Sequence, residues 1–261
     1  MAEAAFFDLD KTVIAKSSAL AFGRPLRKAG MMGRRMMLKA GIGQLFYSLF
    51  GADHEQMERV REAMLELTKG WQRDEIEDLV EEALEDVVSP LVYAEALFLI
   101  DDHHRQGRRV FIISASPEEI VRPLAHYIGV DEVIATRAKT DSAGRYTGEL
   151  TFYAYGEDKA TEVKRLAEQD GIDLSASFAY SDSMTDLPLL ESVGNPTAVN
   201  PDKDLRKIAD ERGWPVIEFK RQVSLRTRLA KPVPIISGAT LAAAIGGLVV
   251  ASLLRSRKRS R

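Results

Sequence analysis

The sequence predicts an α/β protein: a doubly wound parallel sheet, a helical insertion after its first strand, and one apolar helix near the C-terminal end. Three observations predict it. Short apolar runs ending in acids or small polar residues alternate with helical stretches. A long stretch with helical rather than strand character follows the first such run. Finally, Val233–Leu254 carries no charged residue.

The first strand is Ala4–Leu9, an apolar run whose end presents Asp8 and Asp10. From about Ser17 to Ala96 the pattern is helical. It is clearest over Met31–Phe50 and through Leu65, Leu79, Leu84 and Val88. Ser89-Pro90 breaks that run, and a further helix is expected over Val92–Gln106. Arg109–Ser114 reads as the second strand, followed by a helix over Pro117–Tyr127. Asp131–Thr136 is the third strand. Arg145–Tyr155, among Gly144, Gly148 and Gly156, reads as a small hairpin or flap. A helix over Asp158–Asp170, a strand over Ser177–Ser181 and a helix over Asp186–Val193 follow. Strands over Thr197–Val199 and Pro215–Phe219 complete the series. In such sheets ligands bind beyond the carboxyl ends of the strands.

Val233–Leu254 is long enough to cross a hydrocarbon core of roughly 30 Å. Lys220, Arg221, Arg226, Arg228 and Lys231 precede it, and Arg255, Arg257, Lys258, Arg259 and Arg261 close it. A single-pass membrane helix is therefore expected. Met1-Ala-Glu-Ala-Ala lacks the basic start of a signal peptide, which places the folded part on the cytoplasmic side. Basic flanks on both sides leave the helix orientation open. Ala239, Ala243, Gly247 and Ala251 recur every fourth position, a spacing compatible with a homodimer of such helices.

Of 261 residues, 45% are apolar, enough for a sizeable core. The formal net charge of -3 gives no reason to expect nucleic-acid binding. There is no cysteine, which excludes thiolate catalysis, disulfides and cysteine-bound zinc.

Four short segments stand at the ends of expected strands or at helix starts: Phe7-Asp8-Leu9-Asp10-Lys11-Thr12, Ile113-Ser114-Ala115-Ser116, Gly156-Glu157-Asp158-Lys159, and Tyr180-Ser181-Asp182-Ser183-Met184-Thr185-Asp186. Each alone has a plain structural reading, as a turn acid, a helix cap or a solvated lysine. Taken in order, they resemble the motif set of the haloacid dehalogenase superfamily. The helical insertion after the first resembles its phosphoserine-phosphatase-like branch, over about residues 4 to 220.

The resemblance implies a Rossmann-like catalytic core over 1–16 and 97–220 and a helical cap over 17–96. A basic linker (221–232), the transmembrane helix (233–254) and a basic tail (255–261) lie outside it. It also implies a Mg²⁺-dependent phosphatase acting on a phosphate monoester through an aspartyl-phosphate intermediate. Asp8 is then the nucleophile, and Asp10 the group that protonates the leaving oxygen and activates water. Thr12, Ser114 and Lys159 hold the phosphoryl group. Mg²⁺ is bound by the Asp8 and Asp182 carboxylates and the Asp10 carbonyl. Asp186 and Thr185 have supporting places. The chemistry asks for this set, because an anionic nucleophile reaches a phosphate ester only after the phosphoryl charge is offset.

The sequence departs from the branch in three places. Ser181 stands where a glycine is common, and Thr185 where an asparagine is common. No acid stands near Lys16, Ser17 and Ser18, where the phosphoserine enzymes recognise the substrate amine; L-phosphoserine is a poor expectation for that reason. Met31, Met32, Met36, Met37, Leu38, Ile42, Leu45, Phe46 and Phe50 lie among basic residues. Two readings stand for them: the packed interior of the cap, or a surface facing anionic lipid, which would suit a lipid phosphate as substrate. A catalytically inert, membrane-tethered binding protein of the same fold and a phosphotransferase are further readings. His54, His103, His104 and His126 fit no motif and are expected to be surface or structural.

Overall fold

The computed structural model describes residues 2–31, 54–130 and 132–223. The expected helix over Met31–Phe50 lies almost wholly outside the described residues, and the expected transmembrane helix over 233–254 and basic tail lie wholly outside them. Among the described residues, no helix is long and apolar enough to cross a membrane.

The core is a seven-stranded sheet. Its strands are β1 (Ala4–Asp8), β2 (Arg109–Pro117), β3 (Glu132–Thr140), β4 (Tyr146–Phe152), β5 (Phe178–Ser181), β6 (Asn195–Val199) and β7 (Val216–Ile217). They lie in the order β4-β3-β2-β1-β5-β6-β7. The chain thus builds outward from β1 in both directions, and β1 sits at the point where the winding reverses. All pairings are parallel except β3 with β4. The expected flap is therefore the antiparallel edge of the main sheet, and β3 runs four residues beyond the expected Thr136 to meet it. A turn at Asp141–Gly144, with Gly144 at φ 77°, reverses the chain.

β1 explains why the sheet is covered on both faces. Side chains alternate across a strand, and all five of its residues are buried. Ala4 and Phe6 join a cluster with Val163, Leu189, Leu190 and Leu205. Ala5 and Phe7 join another with Val80, Val88, Ile100 and Leu124. Each fully buried phenylalanine contributes roughly 1.5–3 kcal/mol of apolar transfer. His103 packs in the second cluster, its ring edge-on to Phe7 and its Nε2 2.9 Å from the Tyr180 hydroxyl. Burial pulls its pKa down to about 4, so it is a neutral core residue.

Between β1 and β2 run α1 (Ser18–Ala21), α2 (Gly23–Lys28), α3 (His54–Thr68), α4 (Arg73–Val88) and α5 (Ala94–Arg105), with a 3₁₀ turn at Ser89–Leu91. The helical region breaks between α3 and α4, at Gly70 with φ 84°. The two crossings into and out of this region are stitched together. Tyr93 N–H donates to Val13 O, and Ala15 N–H to Leu91 O. After β2 come α6 (Glu118–Tyr127), α7 (Glu157–Asp170), α8 (Leu187–Glu191) and α9 (Lys203–Arg212). The sequence reading left out α9. Its signals were present: Asp202 caps its start through Leu205 N–H, and Gly213 follows its end at φ 70°.

Candidate active site

Asp8 ends β1 and is 6% exposed. It follows Ala4 and Phe6 on the face covered by α7, which carries Lys159 in its first turn. The Lys159 ammonium, also buried, donates to Asp8 Oδ1 at 2.8 Å and to Asp186 Oδ2 at 2.9 Å. Asp186 lies at the start of α8. Ser181, the residue standing in place of glycine, donates its hydroxyl to Asp186 Oδ2 at 2.7 Å. Three distant stretches of chain therefore meet around one ammonium. Asp182, 7% exposed, adjoins them. Its main-chain carbonyl accepts from Asp202 N–H at 2.7 Å, and Asp202 Oδ2 accepts from Met184 N–H at 2.8 Å, so the start of α9 clamps this loop.

Charge is out of balance here. Among the described residues, Asp8, Asp182 and Asp186 are buried beside one buried ammonium, that of Lys159. Burial pushes Asp8 well above the ordinary carboxylate range, Asp186 and Asp182 add to the rise, and Lys159 opposes it. Asp182 is pushed up to about 7, chiefly by burial, with Lys11 opposing and Asp186 adding. Lys159 is held protonated by its two carboxylates against its own burial. Oxygen donors with surplus negative charge suit a hard divalent cation such as Mg²⁺. Among the described residues, no three His, Asp or Glu side chains form a metal cage by themselves. The expected set draws on two carboxylates and a main-chain carbonyl.

Asp10 is built differently. Its Oδ1 accepts from the Ser18 N–H at 2.8 Å, and its Oδ2 from the Ser116 hydroxyl at 3.3 Å. The Ser18 hydroxyl donates to Ser116 Oγ at 2.8 Å. Burial raises the Asp10 carboxyl, and these hydrogen bonds oppose the rise. The loop that carries Asp10 turns sharply: Lys11 has φ 62°, a left-handed conformation uncommon for a residue with a side chain.

Ser114, on β2, is buried, and its Oγ accepts from Ser116 N–H at 3.1 Å. That bond uses a lone pair and leaves the hydroxyl proton for another acceptor. Thr12 is fully buried, and among the described residues its Oγ1 has no hydrogen-bond partner. Thr185 is not drawn into the acid cluster: it is exposed, and its hydroxyl lies 3.0 Å from that of Ser183. Asn200, at φ 45°, uses its side-chain oxygen to accept from Phe219 N–H at 2.8 Å. Sequence reasoning quoted Ser18, Ser116 and Ser181 but gave them no part. The signal for Ser116 was its place two residues after Ser114, at the mouth of the same strand.

A family model described as haloacid dehalogenase-like hydrolase matches residues 5–191. This chain belongs to that family. It is 48% identical over 258 residues to a probable phosphatase of Mycobacterium tuberculosis, covering 97% of this chain and 89% of that one. It is 32% identical over 262 residues to a phosphoserine phosphatase of the same organism, covering 99% of this chain and 82% of that one. A crystal structure of a protein of unknown function from Bordetella pertussis superposes with a TM-score of 0.72 at 30% identity, covering 83% of this chain and 98% of that one. The chain is thus an enzyme, a phosphatase of the haloacid dehalogenase-like family with phosphoserine-phosphatase-like relatives.

Proposed function

We propose that this phosphatase is Mg²⁺-dependent and hydrolyses a phosphate monoester through an aspartyl-phosphate formed on Asp8. The observation that carries the reading is the buried meeting of Asp8, Lys159 and Asp186 beside Asp182, at the carboxyl ends of β1, where the winding reverses, and of its neighbour β5. That is where a doubly wound sheet binds ligands.

In this reading the Asp8 carboxylate attacks phosphorus as the ester P–O bond breaks. Asp10 delivers its proton to the leaving oxygen, then takes one from the water that cleaves the aspartyl-phosphate. Lys159 offsets charge on the phosphoryl oxygens while keeping Asp8 and Asp186 in place. Ser114 offers its hydroxyl proton to a phosphoryl oxygen, and the nearby Thr12 hydroxyl is a further donor. Asp8, Asp182 and the Asp10 carbonyl would hold the Mg²⁺. Asp186 orients Lys159 directly, whereas Thr185 supports the loop through its bonds with Ser183. When bound, Mg²⁺ supplies positive charge that lowers the repulsion between Asp8 and the phosphate.

The test is release of phosphate from p-nitrophenyl phosphate with and without Mg²⁺. Asp8→Asn should lower kcat by at least about a thousandfold, since no covalent route remains. A wild type inert with Mg²⁺ across a broad ester panel, or an Asp8→Asn variant close to wild type, defeats the reading.

A membrane site of action is favoured by the uncharged run Val233–Leu254 with its basic flanks. In that version the run is a single-pass anchor, the catalytic part faces the cytoplasm, the anchor helices pair, and the substrate is a lipid phosphate. Deleting residues 232–261 should leave turnover of a soluble ester within about twofold while lowering turnover of a vesicle-borne lipid phosphate at least about tenfold. Equal effects on both substrates would remove the membrane from the proposal.

A further inference from the structure

We propose that Ser116 and Ser18 are positioning residues for proton transfer by Asp10, and that the first helix after β1 thereby sets the geometry of the acid–base step. The inference rests on the reading of Asp10 as the acid–base group and adds to it the side chains that aim it.

Three groups close a ring. Ser18 N–H fixes one carboxyl oxygen of Asp10 at 2.8 Å, and the Ser116 hydroxyl approaches the other at 3.3 Å. The Ser18 hydroxyl donates to Ser116 Oγ at 2.8 Å, so the Ser116 proton is directed at Asp10. Two hydrogen bonds to different oxygens define the plane of a carboxyl group, which one bond cannot do. All three donors are uncharged. They hold Asp10 by position, one donor on each carboxyl oxygen, which suits a group whose proton must be aimed. Ser18 is fully buried and Ser116 is 8% exposed, so water does not readily replace them.

The ring also joins separate parts of the molecule. Asp10 stands in the loop after β1, Ser18 opens α1, and Ser116 lies near the end of β2, the strand that also holds Ser114. Ser116 N–H donates to Ser114 Oγ. The same short segment thus aims Asp10 at the leaving oxygen and Ser114 at a phosphoryl oxygen. A movement of α1 would withdraw the Ser18 N–H and loosen the carboxyl.

In the step concerned, the Asp10 proton passes to the departing oxygen as that oxygen leaves phosphorus and Asp8 bonds to it. The two serines keep their own protons. Misaiming Asp10 should therefore hurt in proportion to how much the leaving group needs the proton. Phenoxide needs it more than p-nitrophenoxide. A merely structural role for the serines would lower both rates alike.

The experiment compares kcat/KM for phenyl phosphate and p-nitrophenyl phosphate in the wild type, Ser116→Ala, Ser18→Ala and Ser116→Thr, with Mg²⁺ and with Tm measured for each. In Ser116→Ala the phenyl ester should lose about tenfold more than the p-nitrophenyl ester, a modest part of the ~10²–10⁴-fold that acid–base catalysis supplies, and in Ser18→Ala, which keeps the N–H on Asp10 and loses only the hydroxyl that aims Ser116, about threefold more. Ser116→Thr, which keeps a hydroxyl, should return the ratio to within about threefold of wild type. Where one alanine variant fails to fold, the other carries the comparison. Equal losses on the two esters, or a threonine variant no better than alanine, overturn the inference while leaving the phosphatase reading intact. A wild type inert toward both esters and across the broad ester panel removes that reading and this inference with it.

Discussion

Asp8 and Asp10 stand two residues apart, yet opposite sides of the site hold them. On the α7 side, Asp8 is fixed by a charge: the Lys159 ammonium at 2.8 Å, itself shared with Asp186. On the α1 side, Asp10 is fixed by an amide and a hydroxyl, with neutral donors at 2.8 and 3.3 Å. On the proposed mechanism the charged side suits a nucleophile that shares surplus negative charge with a cation. On the same mechanism the neutral side suits a group that gives and takes a proton within one turnover. Strand parity starts the division, since it turns Asp8 toward the face where α7 packs. The chain leaves the sheet before Asp10, which the loop carries toward α1 and β2.

The contrast can be broken most forcefully at Lys159. Lys159→Met strips the cation from the charged side and leaves Asp8 and Asp186 buried without it. Removing one partner of a buried pair costs roughly 3–5 kcal/mol, and phosphate release should fall at least about a hundredfold. Urea unfolding and p-nitrophenyl phosphate turnover measure the two losses. A variant within about 1 kcal/mol and threefold of wild type would mean that the charged side is not held by charge.

Asp182 offers a sharper, pH-resolved version. Its folded value, about 7, lies above the ordinary 3.8. The folded protein therefore binds this proton more tightly than the unfolded chain does. The resulting stabilisation is full below about pH 4 and is lost as pH rises through about 7. In metal-free protein, Asp182→Asn should match wild type near pH 4 and exceed it above pH 7, by up to about 4 kcal/mol. Added Mg²⁺ should stabilise wild type more than the variant. Thermal unfolding from pH 4 to 8, with and without Mg²⁺, reads both signs. A variant less stable than metal-free wild type at pH 8 would refute the surplus of negative charge.

The smallest effect is expected at Ser181. Ser181→Ala removes one hydrogen bond to Asp186 while Lys159 keeps its own. A loss of about 0.5–1.5 kcal/mol is expected, with turnover within about threefold of wild type. A larger loss of activity than of stability would place Ser181 among the groups that aim Lys159.

Much of the fold was legible because its signals are local. The apolar run through Ala4, Ala5, Phe6 and Phe7 gives a buried strand whichever helices cover it. The breaks at Ser89-Pro90 and the glycines around the edge hairpin report backbone preferences of a few residues. What was missed had weaker or longer-range causes. The α9 helix is mostly polar, with only Leu205 and Ala209 fully buried, so its apolar periodicity is thin. The antiparallel edge strand looks in sequence like any hairpin, because joining a sheet depends on which strand lies beside it. Asp8, Ser114, Lys159 and Asp182 could be singled out as candidates from the order of four short motifs at strand ends and helix starts, and the structure joins Asp8 to Lys159.

The sequence by itself determined the family, the alternation of strands and helices, and the residue types that phosphoryl transfer needs. It also supplied the basic-flanked apolar run at 233–254. Only the tertiary structure decided that one lysine serves two aspartates, that Ser181 supports Asp186 rather than merely replacing a glycine, and that Ser18 and Ser116 hold Asp10. The reason is distance along the chain. Lys159 and Asp8 are 151 residues apart and Ser116 and Asp10 are 106 apart, and such partners are chosen by packing against a shared sheet rather than by local propensity.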